Sequence, residues 1–368
     1  MATYIHESSD WPSLTWDQEQ LSGLLATVRH RQGRLLGRME SLGFNLRKEA
    51  VLETLTEDVL KSSEIEGEFL NKAQVRSSVA RRLGMDIGAS AKVDHNVEGV
   101  VEMMLDATQK FGDPLTDDRM FGWHSALFPT GRSGMSKIAV GKWRDDAEGP
   151  MQVVSGPIGL EKVHFEAPAA IGLDREMSQF IHWFNQETGI DLVLKSGIAQ
   201  FWFVTIHPFE DGNGRIGRAL SDLLLARSEN TEQRFYSLSS QIRDQRHSYY
   251  AILETTSKGG LDITAWLKWF LNCLDKSIEG AEVLLNDILR KSRFWENRQH
   301  ESFNDRQRKV INRLLDGFEG NLTSSKWALL TKCSHDTALR DIENLVQRGV
   351  LAKNGAGGRS TSYFLFDT

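Results

Sequence analysis

The residues best equipped to do chemistry together lie in one short stretch, HPFEDGNGRIGR at 207–218. Pro208 cannot continue a helix that arrives from its N-terminal side, so the chain breaks after His207. Phe209 is expected in the core as the anchor of the loop. Gly212 and Gly214 permit close backbone approach and positive φ around Asn213. A new helix begins there, and its free N–H groups and dipole form a cradle for an anion, phosphate foremost. Arg215 and Arg218, three apart, share one face of its first turns and can grip phosphate oxygens bidentately. Asp211 is a carboxylate beside a phosphate cradle, the arrangement that holds Mg²⁺. His207 is the one local group that titrates near neutrality, hence the natural general base. Together these parts suit a nucleoside triphosphate with Mg²⁺ and a base for an incoming hydroxyl, as phosphoryl-type transfer requires.

Two other readings compete for the same residues. Gly212, Gly214 and Gly217 also fit GxGxxG, but that fingerprint needs a preceding strand and a βαβ unit, and the pattern around it is helical. A plain glycine-rich helix start with a capped histidine leaves both arginines, Asp211 and Asn213 unexplained together.

The elements that must position this loop read as mostly helical. Helical spacing predicts helices over about 17–41, 47–69, 72–83, 93–111 and 114–128. The texture then changes: β-branched residues, glycines and a central AEGP turn predict a β-hairpin over about 137–155. Helices resume over about 174–186, 196–206, 214–227, 240–257, 263–277 and 279–298. The polar segment 297–305 is a candidate linker to a small C-terminal unit. No repeat at a fixed period and no low-complexity tract is present.

Composition sets the outer limits. A chain of 368 residues with 40% hydrophobic and 26% charged residues is ordinary for a globular protein of about two domains, and excludes a largely disordered or fibrous one. With 44 Lys and Arg against 50 Asp and Glu the formal net charge is −6, so no global basic field recruits nucleic acid or anionic lipid. Cys273 and Cys333 lie far apart, which argues against a disulfide framework or a cysteine zinc site and suits a reducing cytoplasm. The first residues lack the pattern of a signal peptide, and no apolar run approaches a membrane span. A cytoplasmic protein without membrane partners is the expectation.

The 207–218 segment resembles the signature HPFx[D/E]GNGRxxR of Fic-domain proteins. It matches at His207, Pro208, Phe209, Asp211, Gly212, Asn213, Gly214, Arg215 and Arg218. The flanking AQFWFVTI and ALSDLLL, the hairpin, HFEAP at 164–168 and the helix after it also resemble this family, over roughly residues 50–275. The resemblance implies a mainly α Fic core with a β-hairpin flap. It implies transfer of AMP from ATP to a Ser, Thr or Tyr hydroxyl of a target protein, possibly itself, with release of pyrophosphate. His207 would deprotonate the hydroxyl and Asp211 would bind Mg²⁺. Asn213 and the backbone of Gly212 and Gly214 would hold the α-phosphate region. Arg215 would contact the β-phosphate and Arg218 the γ-phosphate. The hairpin, with Met151 and Val153, would dock the target's extended segment by β-augmentation. Tyr249 and Tyr250 fall where the family lines the adenine or ribose pocket, although a core role suits them equally. The GNGR sequence differs from the lysine-bearing loop of Doc-type kinases, and a phosphocholine-transferring relative keeps much of the motif. Another nucleotide or CDP-choline therefore stays open as donor.

SSEIEG at 62–67 resembles the Fic inhibitory motif [S/T]xxxE[G/N], as Ser62, Glu66 and Gly67. Ser62 and Glu66 are four apart, on one helix face. Read without the resemblance, the segment is a solvated acidic helix end closed by Gly67. With it, Glu66 would pair with Arg218 and withdraw that arginine from the γ-phosphate. The first 45 residues resemble a module found ahead of bacterial Fic cores, in which Trp11 and Trp16 read as packing residues. His164 and His182 read as structural.

The last 63 residues resemble a winged helix-turn-helix. The expected order is helix (306–315), short helix (324–331), helix (334–348) capped by Ser334, then strands around 350–354 and 361–366. The glycine-rich tip GAGGRS between the strands carries Arg359. In DNA-binding versions the third helix enters the major groove. Lys332, His335, Arg340, Lys353 and Arg359 could line such a face, but ten basic against eight acidic residues over 301–368 is a sparse excess. Packing or protein contact competes with DNA as its role. The expected domains are a helical module over 1–90, a catalytic core over 91–298 and the winged helix over 306–368. A DNA-binding regulator whose Fic core senses nucleotide is the alternative function, and a homodimer is a further open partnership.

Overall fold

The computed structural model describes the chain apart from residues 1–2, 41, 87–92, 148, 157–159, 161, 316, 319, 355–360 and 367–368, and apart from the side chains of residues 45, 284, 287 and 288. The chain forms two compact units, Met1–Ala281 and Glu282–Thr368.

The first unit is helical with small strand pairs. Its helices are α1 (Gln18–Glu40), α2 (Phe44–Ile65), α3 (Lys72–Arg82), α4 (His95–Gln109), α5 (Asp117–Leu127), α6 (Leu173–Asn185), α7 (Leu192–Ile206), α8 (Asn213–Glu229), α9 (Leu238–Asp244) and α10 (Arg246–Ser257). It also contains the first part of α11 (Thr264–Glu296), within which the two units meet along the chain. α7 is largely apolar with no single polar face, which marks a helix enclosed on every side, and thirteen of its fifteen residues are buried, Lys195 and Gln200 among them. It packs against α8, whose buried residues run from Asn213 to Ala226 with only Gly214 less enclosed. This central pair carries both ends of the 207–218 loop.

The strands correct the sequence expectation. Strands β1 (Arg132–Ser133) and β2 (Ser136–Lys137) pair with each other, as do β3 (Gln152–Ser155) and β4 (Lys162–Glu166), both antiparallel. The main strand pair therefore joins 152–155 to 162–166, rather than forming a hairpin over 137–155. Among the described residues between Trp143 and Pro150 no ladder forms, and Arg144 ties its own segment down elsewhere. Its backbone N–H donates to the Pro208 carbonyl, and its buried guanidinium bonds His207, Asp146 and Pro168. Val153, Val154 and Val163 supply the β-branched pairing instead.

Helix limits also shift. α2 stops at Ile65, before the expected 69, because Gly67 takes φ +85° and Glu68 N–H bonds back to the Ser63 carbonyl. The region 240–257 divides into α9 and α10 at Gln245, whereas 264–296 is one continuous helix.

In the second unit α12 (Asp305–Leu315), α13 (Ser324–Thr331) and α14 (His335–Gln347) precede the antiparallel strands β5 (Leu351–Lys353) and β6 (Tyr363–Leu365). Ser334 caps α14 by accepting the Thr337 N–H. Phe294, Phe303, Val310, Trp327, Ile342 and Leu345 share its core. Phe303 belongs to the polar stretch expected as a linker. Arg359 and the rest of the 355–360 tip lie outside the described residues.

Candidate active site

The site grows from the break between α7 and α8. His207 closes α7 in the left-handed conformation, φ 52° and ψ 58°. That is an unfavourable place for a residue with a Cβ, so something must hold it. Arg144 does: its Nε donates to the His207 carbonyl at 2.8 Å, with the side chain only 1% exposed. The His207 Nδ1 lies 3.2 Å from the Val204 carbonyl. A carbonyl can only accept, so the proton sits on Nδ1 and Nε2 keeps its lone pair. Desolvation pulls the pKa of this histidine down to about 4, partly offset by the Val204 carbonyl. It is neutral at pH 7, as a proton acceptor must be.

Beyond Pro208 the chain is clamped. The Phe209 N–H donates to Asn213 Oδ1 at 3.0 Å, and Asn213 Nδ2 donates to the Phe209 carbonyl at 2.7 Å. Asn213 is thus buried inside the loop it closes. Phe209 is fully buried, as expected, and stacks on His124 with centroids 4.2 Å apart. His124 in turn spans the loop: its Nδ1 accepts from Gly141 N–H, and its Nε2 lies 3.2 Å from the Asp211 carbonyl. Burial lowers its pKa to about 4.

Gly212, at φ +83°, starts α8. A left-handed residue with its Cβ site against the Phe128 ring admits only glycine. Asp211 points outward, 41% exposed, accepting from Gly212 N–H and from the Ser133 hydroxyl. Among the described residues no three His, Cys, Asp or Glu side chains cluster as a metal cage. The donor set suits Mg²⁺ all the same, since that ion is usually held by one or two carboxylates plus substrate phosphate and water.

Both arginines of the cradle are already engaged. Arg218 is 1% exposed, and its Nη1 meets Glu66 Oε1 at 2.8 Å. Its Nε donates to Ser62 Oγ at 3.0 Å and its Nη2 to the Ser62 carbonyl at 2.8 Å. Burial alone would lower its pKa, but the Glu66 carboxylate together with Tyr249 and Tyr250 raises it above the ordinary value. Arg215, 2% exposed, meets Glu68 Oε2 at 2.6 Å and lies over the Phe128 ring. A Cβ built on Gly214 would fall 2.1 Å from Glu66 Oε1. The carboxylate therefore occupies the space over the first turn of α8, where an anion is favoured.

The remaining expected residues divide. Tyr250 reaches the site, its hydroxyl 3.4 Å from Glu66 Oε2. Tyr249 is buried, packed on Trp266 and Trp269, with its hydroxyl accepting from Gln200 and lying beside Arg218. Met151 and Val153 sit at the base of the hairpin: the Met151 carbonyl accepts from Ala167 N–H, and Val153 pairs with Phe165. Four participants escaped the sequence reading. Glu68 stands two residues from Glu66, and its charge was the available signal. Ser133, His124 and Arg144 reach the loop from afar, and no local spacing announces them.

Comparison with known proteins completes the picture. Residues 4–85 match the model described as Domain of unknown function (DUF4172), and residues 114–225 match the Fic/DOC family. The chain is 26% identical over 238 residues to the Protein adenylyltransferase Fic of Culex quinquefasciatus, covering 63% of this chain and 42% of that protein. It is 33% identical over 105 residues to the protein of the same name from Drosophila virilis, covering 28% and 20%. The chain thus spans less than half the length of these relatives. A solved Fic family protein from Desulfovibrio desulfuricans G20 covers 96% of this chain and 98% of its own, with TM-score 0.53 and 19% identity. A Fic domain containing signaling protein from Bacteroides thetaiotaomicron covers 71% and 95%, with TM-score 0.51 and 19% identity. These two likenesses are ones of fold.

Proposed function

We propose that this chain, whose residues 114–225 match the Fic/DOC family, is a protein adenylyltransferase held inactive by Glu66. The observation that carries the reading is the seating of the Glu66 carboxylate over the α8 N-terminus, 2.8 Å from a buried Arg218. A charge placed there has the character of the ligand it displaces.

ATP lies with its phosphates over the N-terminus of α8. The backbone of Gly212 and Gly214 faces the α-phosphate region, and Asn213 contributes by keeping that loop closed. Arg215 receives the β-phosphate and Arg218 the γ-phosphate. Asp211 would hold Mg²⁺, which would neutralise phosphate charge when bound. Tyr250 borders the nucleotide, while Tyr249 supports it from the core. A target's extended segment adds to the hairpin at Met151 and Val153, and presents a Ser, Thr or Tyr hydroxyl to His207. Nε2 takes the hydroxyl proton as the oxygen attacks the α-phosphorus. The oxygen–phosphorus bond forms, the bond to the β-phosphate oxygen breaks, and pyrophosphate leaves with the electron pair. With Glu66 in place Arg218 is unavailable, so any ATP bound is misplaced for in-line attack.

Labelled ATP tests the reading. The Glu66→Gly chain, given Mg²⁺ and candidate targets, should transfer label from the α-phosphate and none from the γ-phosphate. Transfer of γ-label instead would make the protein a kinase and overturn the proposal.

A further inference from the structure

The Glu66–Arg218 contact is one step of a longer seam between α2 and α8. Asp58, Ser62 and Glu66 are spaced four apart along α2 and its C-cap, and Arg218 and Asp222 four apart on α8. Each set therefore lines one helix face. Ser62 and Glu66 hold Arg218. The next step sets Asp58 against Asp222, carboxyl to carboxyl in hydrogen-bonding contact. Both are buried, 4% and 1% exposed.

The donors around this pair can be accounted for. Asp58 Oδ1 accepts from the Ser237 hydroxyl at 2.5 Å and from Ser239 N–H at 3.2 Å. Asp222 Oδ1 accepts from Arg234 Nη2 at 2.8 Å. Asp222 Oδ2 is buried and has no donor among the described residues. Two carboxylates offer each other only lone pairs, so their contact needs a proton between them. The surrounding charges do not remove that need. Arg234 is shared with Glu229, whose other oxygen accepts from Gln32 of α1 and from the Tyr236 hydroxyl. Arg29 of α1 is bound to Asp191, and Arg243 of α9 to Glu64. Of the other helices packed on α8, α4 buries no titratable group. α7 and α5 turn Lys195 and His124 to the carbonyls of Gln186 and Asp211. Burial, and then the neighbouring Asp58, push the Asp222 carboxyl well above the usual carboxylate range.

We infer that α2 is seated on α8 by one proton shared between Asp58 and Asp222, and that losing it on raising the pH lifts Glu66 from Arg218. The consequence for transfer rests on the adenylyltransferase reading above. With the proton gone, two buried anions face each other one helical turn from Ser62, and their repulsion separates the helices where the brake is attached. The sign follows from linkage. The folded chain holds this proton more tightly than the unfolded one. The contact's contribution to stability is therefore full below the usual carboxylate range and is lost as pH rises through the raised pKa.

Asp222→Asn imitates the protonated pair, since its carbonyl still accepts from Arg234 and its amide donates to Asp58. Amide hydrogen exchange of the full chain over about pH 5 to 9, a range that reaches the highest documented buried carboxyls, tests the seam once rates are corrected for the intrinsic effect of pH. In the parent, protection of residues 58–66 should fall as pH rises, by up to about tenfold per pH unit for one proton. Asp222→Asn should hold it level. Asp58→Asn, which removes the other anion, should do the same and serves if Asp222→Asn does not fold. The parent's infrared spectrum should show a carboxylic acid carbonyl band that titrates over the same range and is missing in Asp222→Asn. Transfer from ATP by the parent, low at neutral pH, should rise with pH, stay low in Asp222→Asn and be high throughout in Glu66→Gly. Protection that falls alike in the parent and both Asn variants overturns the inference, as does a parent without the acid band. Titrating protection with level transfer in the parent, while Glu66→Gly is active, overturns the link from the proton to the brake. Titrating protection with no transfer even from Glu66→Gly overturns the transferase reading and leaves the shared proton standing.

Discussion

Individual residues make the sharpest predictions. His207 is held neutral far below its usual titration range, because desolvation disfavours the imidazolium. The acid limb of kcat/KM in the Glu66→Gly chain should therefore lie near pH 4, not 6.5. Removing Glu66 also removes a charge that raises this pKa, so the limb has no cause to move upward. Replacing His207 with Ala should cost ~100-fold or more in adenylyl transfer while leaving ATP binding in place. Glu68 makes a separate prediction. It pairs with Arg215 as Glu66 pairs with Arg218, but is 46% exposed. Glu68→Gln should therefore lower KM for ATP by ~5-fold at most, the scale of a partly exposed ion pair, and should add to the effect of Glu66→Gly. Titration of ATP against both single variants and the double one checks this. The main residues of the loop were legible because Pro208, the glycines and the paired arginines are each restricted in what they can do. Arg144 was not, since a buried arginine that shapes a loop through carbonyls far along the chain leaves no local pattern.

Elements fix where those residues stand. The α4–α5 crossing is close enough that a Cβ on Gly99 would lie 1.7 Å from the Ala126 carbonyl oxygen. Gly99→Ala should destabilise the first unit by about 1–3 kcal/mol, the usual cost of overpacking, seen as a lower denaturant midpoint. At the far end of α8, Arg234 lies between buried Asp222 (2.8 Å) and Glu229 (3.3 Å). Arg234→Met would strand two acids and should cost about 3–5 kcal/mol. Helix spacing read most helices to within a few residues because the core imposes a 3.6-residue period on helices such as α6 and α14, which bury one face. The hairpin was misplaced for an opposite reason. Strand pairing depends on which segment is free to pair, and Arg144 commits 144–146 to the loop. The C-cap at Glu66 was missed by a few residues because the Gly67 turn is short-range chemistry inside an otherwise helical pattern.

At the scale of the whole molecule, folding and site chemistry share their protons. His124 and His207 both have pKa values of about 4 in the folded chain, lowered chiefly by burial. Between about pH 6.5 and 4 the unfolded chain binds protons that the folded one refuses. Stability contributed by these groups is therefore full above pH 6.5 and declines as pH falls through that window. Thermal unfolding followed from pH 7 to 4 should show the decline, smaller in His124→Asn. Among the described residues no helix is long and apolar enough to cross a membrane. The central claim is that a competent cradle is closed by one carboxylate, and intact mass after incubation with ATP and Mg²⁺ tests it most directly. Three chains suffice: the parent, Glu66→Gly, and Glu66→Gly with His207→Ala. The account predicts an added AMP in Glu66→Gly alone. An equal gain in the parent would contradict the brake, and a gain in the His207→Ala chain would contradict the base.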